Sequence, residues 1–200
     1  PTNMRWNASK STNRIHLAIE GSCGGTTVGL QMAANHISEG SRVLWVGLEM
    51  PNPIRFQQLF AHISPVASSK FHAMMMSGTL DKAVDALISA AKNLPSVSLI
   101  ILDDWCDNSG KISKKYLSEI QRCSDKVSKD IKIILISKGT VDASGKKTGA
   151  IFARSENYFR ENGFEIWTLS KSKDGHYRDL VTSEVVTKLK IVDEGMELVS

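Results

Sequence analysis

The chain has 200 residues and a formal net charge of +4 at pH 7; 42% of its residues are hydrophobic and 23% are charged. These values are typical of one globular domain with a sizeable core, and they exclude an intrinsically disordered chain. No apolar stretch approaches the roughly 20 residues that a membrane span requires, and no signal peptide is visible, so we expect a cytoplasmic protein without membrane contact. The mild positive charge permits nucleic-acid binding but does not require it.

The cysteines and histidines give no sign of a metal site. Cys23, Cys106 and Cys123 are widely spaced and form no Cys-x-x-Cys pair, which indicates neither a zinc site nor a disulfide framework. The five histidines show no metal-ligand spacing on a common face, and we assign them no role.

The first residues differ from the rest of the chain. Residues 1–14 are mostly polar, and we predict a loosely held N-terminal arm there, followed by a single core domain over residues 15–200. Within the core, short apolar runs typical of buried strands alternate with stretches of helical periodicity. We predict strands at residues 15–19, 42–48, 97–102 and 131–136, and helices that end near Gly40, begin near Pro53, begin at Asp81 and begin at Ser113.

These patterns predict an α/β fold. The near-continuous apolar character of the four strands indicates a mainly parallel sheet that is covered on both faces. After Phe164 the helical periodicity gives way to strand patterns at residues 164–169, 180–189 and 196–199, separated by turn residues, and we expect these to extend one edge as antiparallel strands. Residues 66–79 show only a weak pattern, and we interpret Met74–Met76 as packing material.

A glycine loop follows the first predicted strand. It runs from Gly21 to Thr27 and leads into a helix, an arrangement in which backbone N–H groups can hold phosphate oxygens. A phosphate-binding loop normally reads Gly-x-x-x-x-Gly-Lys-[Ser/Thr], where the lysine neutralises the outer phosphates and the hydroxyl contacts Mg²⁺. Gly24-Gly25-Thr26-Thr27 fits the end of this pattern if Gly25 occupies the lysine position. The predicted nucleotide-binding residues are therefore Gly21, Gly24, Gly25, Thr26 and Thr27.

Polar residues follow the other predicted strands at the point where each strand ends. Glu49 follows the second strand, Asp103 and Asp104 follow the third, and Ser137 and Lys138 follow the fourth. Ligands of parallel α/β sheets bind beyond this edge. We predict that Asp103 and Thr26 hold Mg²⁺, that Glu49 orients the attacking water as a general base, and that Ser137 senses the terminal phosphate.

Three motifs carry a resemblance to a known superfamily. Residues 24–31 (Gly-Gly-Thr-Thr-Val-Gly-Leu-Gln) are similar to a Gly-Lys-Thr-Thr-Leu-x-x-Gln segment with its lysine replaced. Residues 46–51 resemble the helicase-type segment that bears a catalytic glutamate, and residues 99–104 resemble a Walker B strand. Together with residues 189–199, which look like a closing hairpin of archaeal recombinase paralogues, they make the chain resemble the RecA-fold superfamily of recombinases, their paralogues, clock-protein-like ATPases and replicative helicase motors.

The resemblance implies a RecA-like three-layer fold, a nucleotide held between adjacent subunits, and loops that line a DNA path. The candidate loops are residues 105–115 and 137–149, and the second carries the predicted nucleic-acid-binding residues Lys138, Lys146 and Lys147. We expect any DNA binding to be modest, salt-sensitive and largely independent of sequence, because lysines in a mobile loop contact phosphates. Arg178 is a candidate arginine finger.

Three functions remain open. The favoured one is an accessory factor in DNA recombination or repair, with weak or absent ATP hydrolysis. The second is a working ATPase motor that takes its lysine from elsewhere, either Lys138 or a residue of another subunit. The third is a protein-interaction scaffold that binds neither ATP nor DNA well. ATP and Mg²⁺ are expected to bind weakly, because one charge-assisted contact contributes roughly 1.5–3 kcal/mol. DNA and a RecA-family paralogue, or a second copy of the chain, are the expected partners.

Overall fold

The computed structural model describes residues 4–8, 11–141, 150–183 and 185–199. The strands are β1 (Arg14–Ile19), β2 (Arg42–Gly47), β3 (Phe71–Met75), β4 (Val97–Asp103), β5 (Lys132–Lys138), β6 (Thr140–Val141), β7 (Ile151–Phe152), β8 (Glu165–Lys171), β9 (Tyr177–Thr182), β10 (Val185–Val192) and β11 (Gly195–Leu198). The helices are α1 (Gly25–Ser38), α2 (Pro53–Phe60), α3 (Pro65–Ser68), α4 (Leu80–Asn93), α5 (Lys114–Lys126) and α6 (Glu156–Glu161).

Nine of these strands form one sheet in the order β11-β10-β9-β8-β1-β5-β4-β2-β3. The strands from β8 to β3 in this order are parallel, and β9, β10 and β11 continue the sheet in antiparallel pairing. Strand β1 lies near the middle, between β5 and β8, so the loop that follows it emerges from the interior of the sheet. The predicted fold class is therefore confirmed, and each of the four strands predicted before residue 164 is present.

Each face of the sheet has its own core. On one face, Ile15, Trp45 and Ile134 pack with residues of α1 and α2; on the other, Leu44 and Ile133 pack with residues of α4, α5 and α6. Because side chains alternate along a strand, Asp103 extends the row of Leu99 and Ile101 toward α1, whereas Ser137 extends the row of Ile133 and Leu135 toward the opposite face. This alternation decides which strand-end residues can reach the glycine loop.

The C-terminal part differs from the prediction in two ways. The predicted strand at residues 180–189 is in fact two strands, β9 and β10, joined by a turn at Ser183, which has a left-handed φ of 34°. The first strand after Phe164, β8, pairs in parallel with β1, so the antiparallel extension begins only at β9. The alternating pattern shows that strands are present but does not reveal a tight turn within one apolar run.

Strand β3 and helices α3 and α6 were missed. Strand β3 is a half-buried edge strand, so it lacks the continuous apolar run of the central strands. Its Met74 is partly buried against the core and its Met75 is 55% exposed, so the methionines serve as edge-strand residues as well as packing material. Helix α4 begins at Leu80 after the cap residue Thr79, so Asp81 lies in its first turn rather than at its cap.

The described part of the N-terminal arm is packed rather than loose. Trp6 is buried, its ring lies edge-on to Trp167, and its backbone N–H donates to the carbonyl of Met196. Gln31 of α1 connects these segments: its Nε2 donates to the carbonyls of Trp6 and Met196, and its Oε1 accepts from the Met196 N–H. The boundary between the arm and the core domain stays a prediction.

None of the helices in the described ranges combines the length and the apolar character that crossing a membrane requires.

Candidate nucleotide-binding site

The glycine loop closes tightly between β1 and α1. Gly24 precedes the first turn of α1 with a φ of 104°, a conformation that L side chains rarely adopt. A Cβ atom at Gly24 would also lie 2.9 Å from Met196 Cε, so the closing hairpin of the sheet lies directly against the loop. The first N–H groups of α1 have no partner within the helix, so they are available to an anion in the space above the loop.

The position of the missing lysine is closed by apolar side chains. A Cβ atom at Gly25 would lie 2.9 Å from both Cδ1 and Cγ2 of Ile19 and 3.0 Å from Cγ2 of Ile136. Real Cβ atoms essentially never make contacts shorter than 3.0 Å. The glycine is therefore built into the packing of the loop, because a side chain could enter only if Ile19 moved.

The loop hydroxyl and the strand-end carboxylate meet as predicted. Thr26 Oγ1 donates a 2.7 Å hydrogen bond to Asp103 Oδ2. Burial raises the pKa of the Asp103 carboxyl to about 6; the hydrogen bond from Thr26 lowers this pKa, and the neighbouring Asp104 raises it. Oxygen ligands of this kind suit Mg²⁺, and a divalent cation would favour the ionised carboxylate that burial disfavours. Thr26 and Asp103 thus fit the metal role predicted for them, which stays a prediction.

Glu49 and Asp104 stand on the same rim of the sheet. Strands β2 and β4 are neighbours, with Gly47 opposite Asp103, and Glu49 lies exposed in the turn that follows β2. Burial raises the pKa of Asp104, and the charge of Glu49 raises it further. The expected placement of Glu49 and Asp103 at one edge, facing the loop, is therefore correct, and their catalytic roles stay predictions.

Two of the residues predicted to bind the nucleotide direct their hydroxyl groups at other side chains. Ser137 is buried, and its hydroxyl lies 2.7 Å from His16 Nε2, on the sheet face away from α1. Burial, aided by Arg154, lowers the pKa of His16 to about 3. Thr27 is buried and its hydroxyl accepts from Arg55 Nε at 3.0 Å. Both hydroxyls are therefore engaged with side chains of the protein: that of Ser137 with His16 on the far sheet face, and that of Thr27 with Arg55.

Arg178 does not act as a finger toward a neighbour in this structure. Its side chain is buried, its Nε donates to the carbonyl of Cys23 at 2.6 Å, and its Nη1 donates to the carbonyls of Gly175 and Tyr177. The guanidinium therefore supports the glycine loop of its own chain. Arg178 lies opposite Lys171 in the antiparallel pairing of β8 and β9, and this pairing brings it beside the loop rather than toward a neighbour.

Two arginines at the site were not anticipated. Arg55 of α2 binds Thr27 and, through Nη1, the carbonyls of Val192 and Asp193. Arg154 is buried and binds the carbonyls of Lys138 and Gly110 and the thiol of Cys106. Each joins segments far apart in sequence, so no local sequence pattern indicates its role.

The two candidate DNA loops begin beside this site. Residues 105–115 are anchored by Trp105 and Ile112, both buried in the core. The second loop leaves the sheet after Lys138, and β6, within its described part, pairs in antiparallel fashion with β7. Lys146 and Lys147 lie outside the described residues, so their nucleic-acid role, like that of Lys138, stays a prediction.

The loop and the strand ends together enclose an open cleft of about 530 Å³. The predicted residues that line it are Gly21, Gly24, Gly25, Thr26, Glu49, Asp103, Ser137 and Lys138, and Arg55, Asp104 and Asn108 line it as well. A glycine loop, a helix N-terminus and oxygen ligands for Mg²⁺ meet at the carboxyl edge of a parallel sheet, which is where such folds bind nucleotides. The cleft therefore suits a nucleoside phosphate with its magnesium ion.

Comparison with known proteins shows which fold this is. The structure of the RadB recombinase is similar, with a TM-score of 0.69 and 17% sequence identity, over 95% of this chain and 92% of that chain. The structure of a DnaB-like replicative helicase, described together with its interactions with primase, is similar with a TM-score of 0.62 and 12% identity, over 94% of this chain and 57% of that chain. No protein-family model matches the chain, and no curated protein matches its sequence. The chain therefore has the RecA fold, as its motifs suggested.

The raised pKa of Asp103 predicts a dependence of stability on pH. The pKa of Asp103 in the folded chain lies above the ordinary value of 3.8. The free energy of unfolding is therefore not reduced by Asp103 below about pH 4, where this carboxyl is protonated in both states, and it falls as the pH rises through about 6 and the buried carboxyl must ionise. Asp103→Asn should therefore stabilise the magnesium-free chain above about pH 7 by about 1–3 kcal/mol, because a difference of one in pKa is worth about 1.4 kcal/mol, and should change little near pH 4.

Urea unfolding at both pH values in the presence of a chelator measures this difference. The matched control is Asp107→Asn, which changes an exposed carboxylate of the neighbouring loop and should change the free energy of unfolding little. An Asp103→Asn variant that is less stable than the wild type at neutral pH would contradict the burial argument.

Proposed function

We propose that this chain is a nucleotide-binding accessory factor in DNA recombination or repair that hydrolyses ATP slowly or not at all. The observation that carries the proposal is the closed lysine position at Gly25, beside an intact pair of Thr26 and Asp103. The similarity to the RadB recombinase over nearly the full length of both chains supports the recombination context.

Binding and hydrolysis place different demands on this site. Binding needs N–H donors at the loop and oxygen ligands for the metal, both of which the chain retains through Gly24, Thr26 and Asp103. Hydrolysis also needs positive charge where negative charge accumulates in the transition state. A loop lysine normally supplies that charge, and Gly25 cannot. Glu49 would still orient a water molecule, but the loop itself would lack the cation that normally stabilises the outer phosphates.

The partners proposed for the chain follow from the same context. DNA, and a RecA-family paralogue or a second copy of this chain, are the partners that the RecA fold and the mild positive charge favour. The second candidate function, a working ATPase, is favoured by one observation, the position of Lys138 in the cleft.

Titration of the purified chain with magnesium and ATP tests the proposal. We expect a Kd no tighter than roughly 100 μM, because one lost charge-assisted contact weakens binding by about one to two orders of magnitude. Phosphate release should stay near the buffer background. Asp103→Ala should remove the dependence of binding on magnesium, while Asp107→Ala, on the exposed part of the next loop, should not.

Two results would redirect the assignment. Fast phosphate release by the wild type that is abolished in Glu49→Gln would show that the chain is a working ATPase motor, the second candidate function. Complete absence of ATP binding, with and without magnesium, would exclude both nucleotide-dependent functions and favour the protein-interaction scaffold.

A further inference from the structure

Lys138 lies beside the glycine loop because of strand pairing. It is the last residue of β5, which pairs in parallel with β1, and its register partner is Ile19, the last residue of β1. The next N–H along the chain, that of Gly139, donates to the carbonyl of Ile19 at 2.8 Å. The backbone of Lys138 is therefore fixed next to the start of the loop, on the strand that neighbours β1.

The side chain of Lys138 passes over the first glycine of the loop. A Cβ atom at Gly21 would lie 2.8 Å from Lys138 Cε and 3.3 Å from its Nζ. The ammonium group thus lies against the loop backbone and lines the same cleft as Gly25 and Asp103. A lysine has a compact charge on a flexible stem, so its Nζ can follow a phosphate group that settles on the loop.

A buried arginine holds Lys138 in this position. Arg154, of which 6% is exposed, donates from Nε to the carbonyl of Lys138 at 2.9 Å. Its Nη1 donates to the carbonyl of Gly110 at 3.3 Å, and its Nη2 to Cys106 Sγ at 3.3 Å. The guanidinium therefore anchors the end of β5 to the loop that follows β4, so the stem of Lys138 starts from a fixed point.

Among the described residues, the ammonium group of Lys138 has no ionic partner. Asp104 lines the same cleft, yet no acidic side chain of the described residues lies within ion-pair distance of Lys138 Nζ. Arg55, a second cation of the cleft, is fixed through Nε and Nη1 by Thr27, Gln58 and the carbonyls of Val192 and Asp193, although its buried Nη2 has no partner among the described residues. Because these contacts hold the guanidinium in place, it is less free to follow a phosphate than the ammonium of Lys138. Lys138 is thus the better candidate for a charge that can move with phosphate.

We propose that Lys138 supplies, from β5 of the same chain, the phosphate-neutralising charge that Gly25 lacks. The ligand class is a polyphosphate, either a nucleoside triphosphate or inorganic tripolyphosphate. The inference rests on the proposed nucleotide site and identifies the residue that keeps binding measurable there. It also assigns Lys138 to the nucleotide cleft in place of the nucleic-acid role expected from the basic loop.

A pair of matched variants tests this assignment. Lys138→Ala removes the ammonium at the end of β5, and Lys171→Ala removes one at the end of β8, the other parallel neighbour of β1, which lies outside the cleft. Calorimetric titrations with magnesium–ATP, tripolyphosphate and adenosine compare both variants with the wild type. We expect Lys138→Ala to weaken binding of ATP and tripolyphosphate about 10- to 100-fold and Lys171→Ala to weaken it less than about 2-fold. Lys138→Arg should keep most of the affinity, and adenosine binding should be the same in all four proteins.

The outcomes separate this inference from the proposed function. Equal ATP binding by the wild type and a folded Lys138→Ala variant would overturn the role of Lys138 and leave the nucleotide site standing. Binding of tripolyphosphate that depends on Lys138, without any binding of ATP, would support the role of Lys138 and overturn the nucleotide function. Absence of binding of both ligands by the wild type would overturn both. Circular dichroism of each variant shows whether it is folded.

Discussion

Gly25→Lys is expected to destabilise the fold and to leave ATP binding weak, although it restores the residue that the loop pattern lacks. Read from the sequence alone, this substitution should tighten nucleotide binding in an otherwise intact pocket. The structure changes the expectation, because the new Cβ atom would lie within 3.0 Å of Ile19 and Ile136. Overpacking of this kind typically costs about 1–3 kcal/mol, measured as a loss in the free energy of unfolding.

The matching double variant should recover what the single variant loses. Ile19→Ala removes both Ile19 atoms that crowd the site, so Gly25→Lys in this background should bind ATP at least about 10-fold more tightly than Ile19→Ala alone. Gly25→Ala is the steric control, since it adds the Cβ atom without the charge and should be destabilised like Gly25→Lys. A Gly25→Lys single variant with wild-type stability and strong ATP binding would show that Ile19 yields easily and that the lysine position is open.

Arg14→Ala is expected to lower the free energy of unfolding by about 3–5 kcal/mol and the melting temperature by about 10 °C. The Arg14 guanidinium is buried at the start of β1. It donates to Ser124 Oγ, to the carbonyls of Asn13 and Ile131, and to three carbonyls at the end of α5, those of Ser124, Val127 and Ser128. Its loss would leave several buried carbonyl oxygens without a donor.

Thermal and urea unfolding measure the effect, with Arg160→Ala as the matched control. Arg160 forms an exposed ion pair with Glu156 on α6, which should contribute less than about 1 kcal/mol. Arg14→Lys should have a free energy of unfolding between those of the wild type and Arg14→Ala. An ammonium group cannot reach both the carbonyl of Ile131 and those at the end of α5, as the guanidinium does. If Arg14→Ala lowers the free energy of unfolding by less than about 1 kcal/mol, water must be donating hydrogen bonds to the carbonyls at the end of α5 in place of Arg14.

The sequence was sufficient to predict the central sheet and the place of the site. Strands β1, β2, β4 and β5 are buried on both faces, so each appears as a continuous apolar run, and parallel strands must end at a common edge. The meeting of Thr26, Glu49 and Asp103 follows from that rule alone. Edge strand β3 has no such run, and the turn at Ser183 lies within one apolar stretch, so neither could be read from local patterns.

The parts of the site that were missed depend on contacts distant in sequence. Arg55 binds carbonyls 137 and 138 positions further along the chain, and Arg154 reaches Gly110 across 44 positions. Ser137 was assigned to the phosphate because of its place at a strand end. The alternation of side chains along β5 turns Ser137 toward His16. Only the position of α1 shows that this face of the sheet is the one away from the glycine loop. Long-range pairing of this kind leaves no periodicity in the sequence.

The three hydrogen bonds of Gln31 connect the segments around Trp6 and Met196, and we expect these two segments to open together. The Met196 amide donates to Gln31 Oε1, and Gln31 Nε2 donates to the carbonyls of Trp6 and Met196. When either segment leaves, the side chain loses part of its bonding and the other segment is less well held. The backbone amide protons of Trp6 and Met196 should therefore exchange with deuterated solvent at the same rate, as one cooperative unit. Their protection from exchange measures how firmly these two segments are held against Gln31 of α1, the helix that follows the glycine loop.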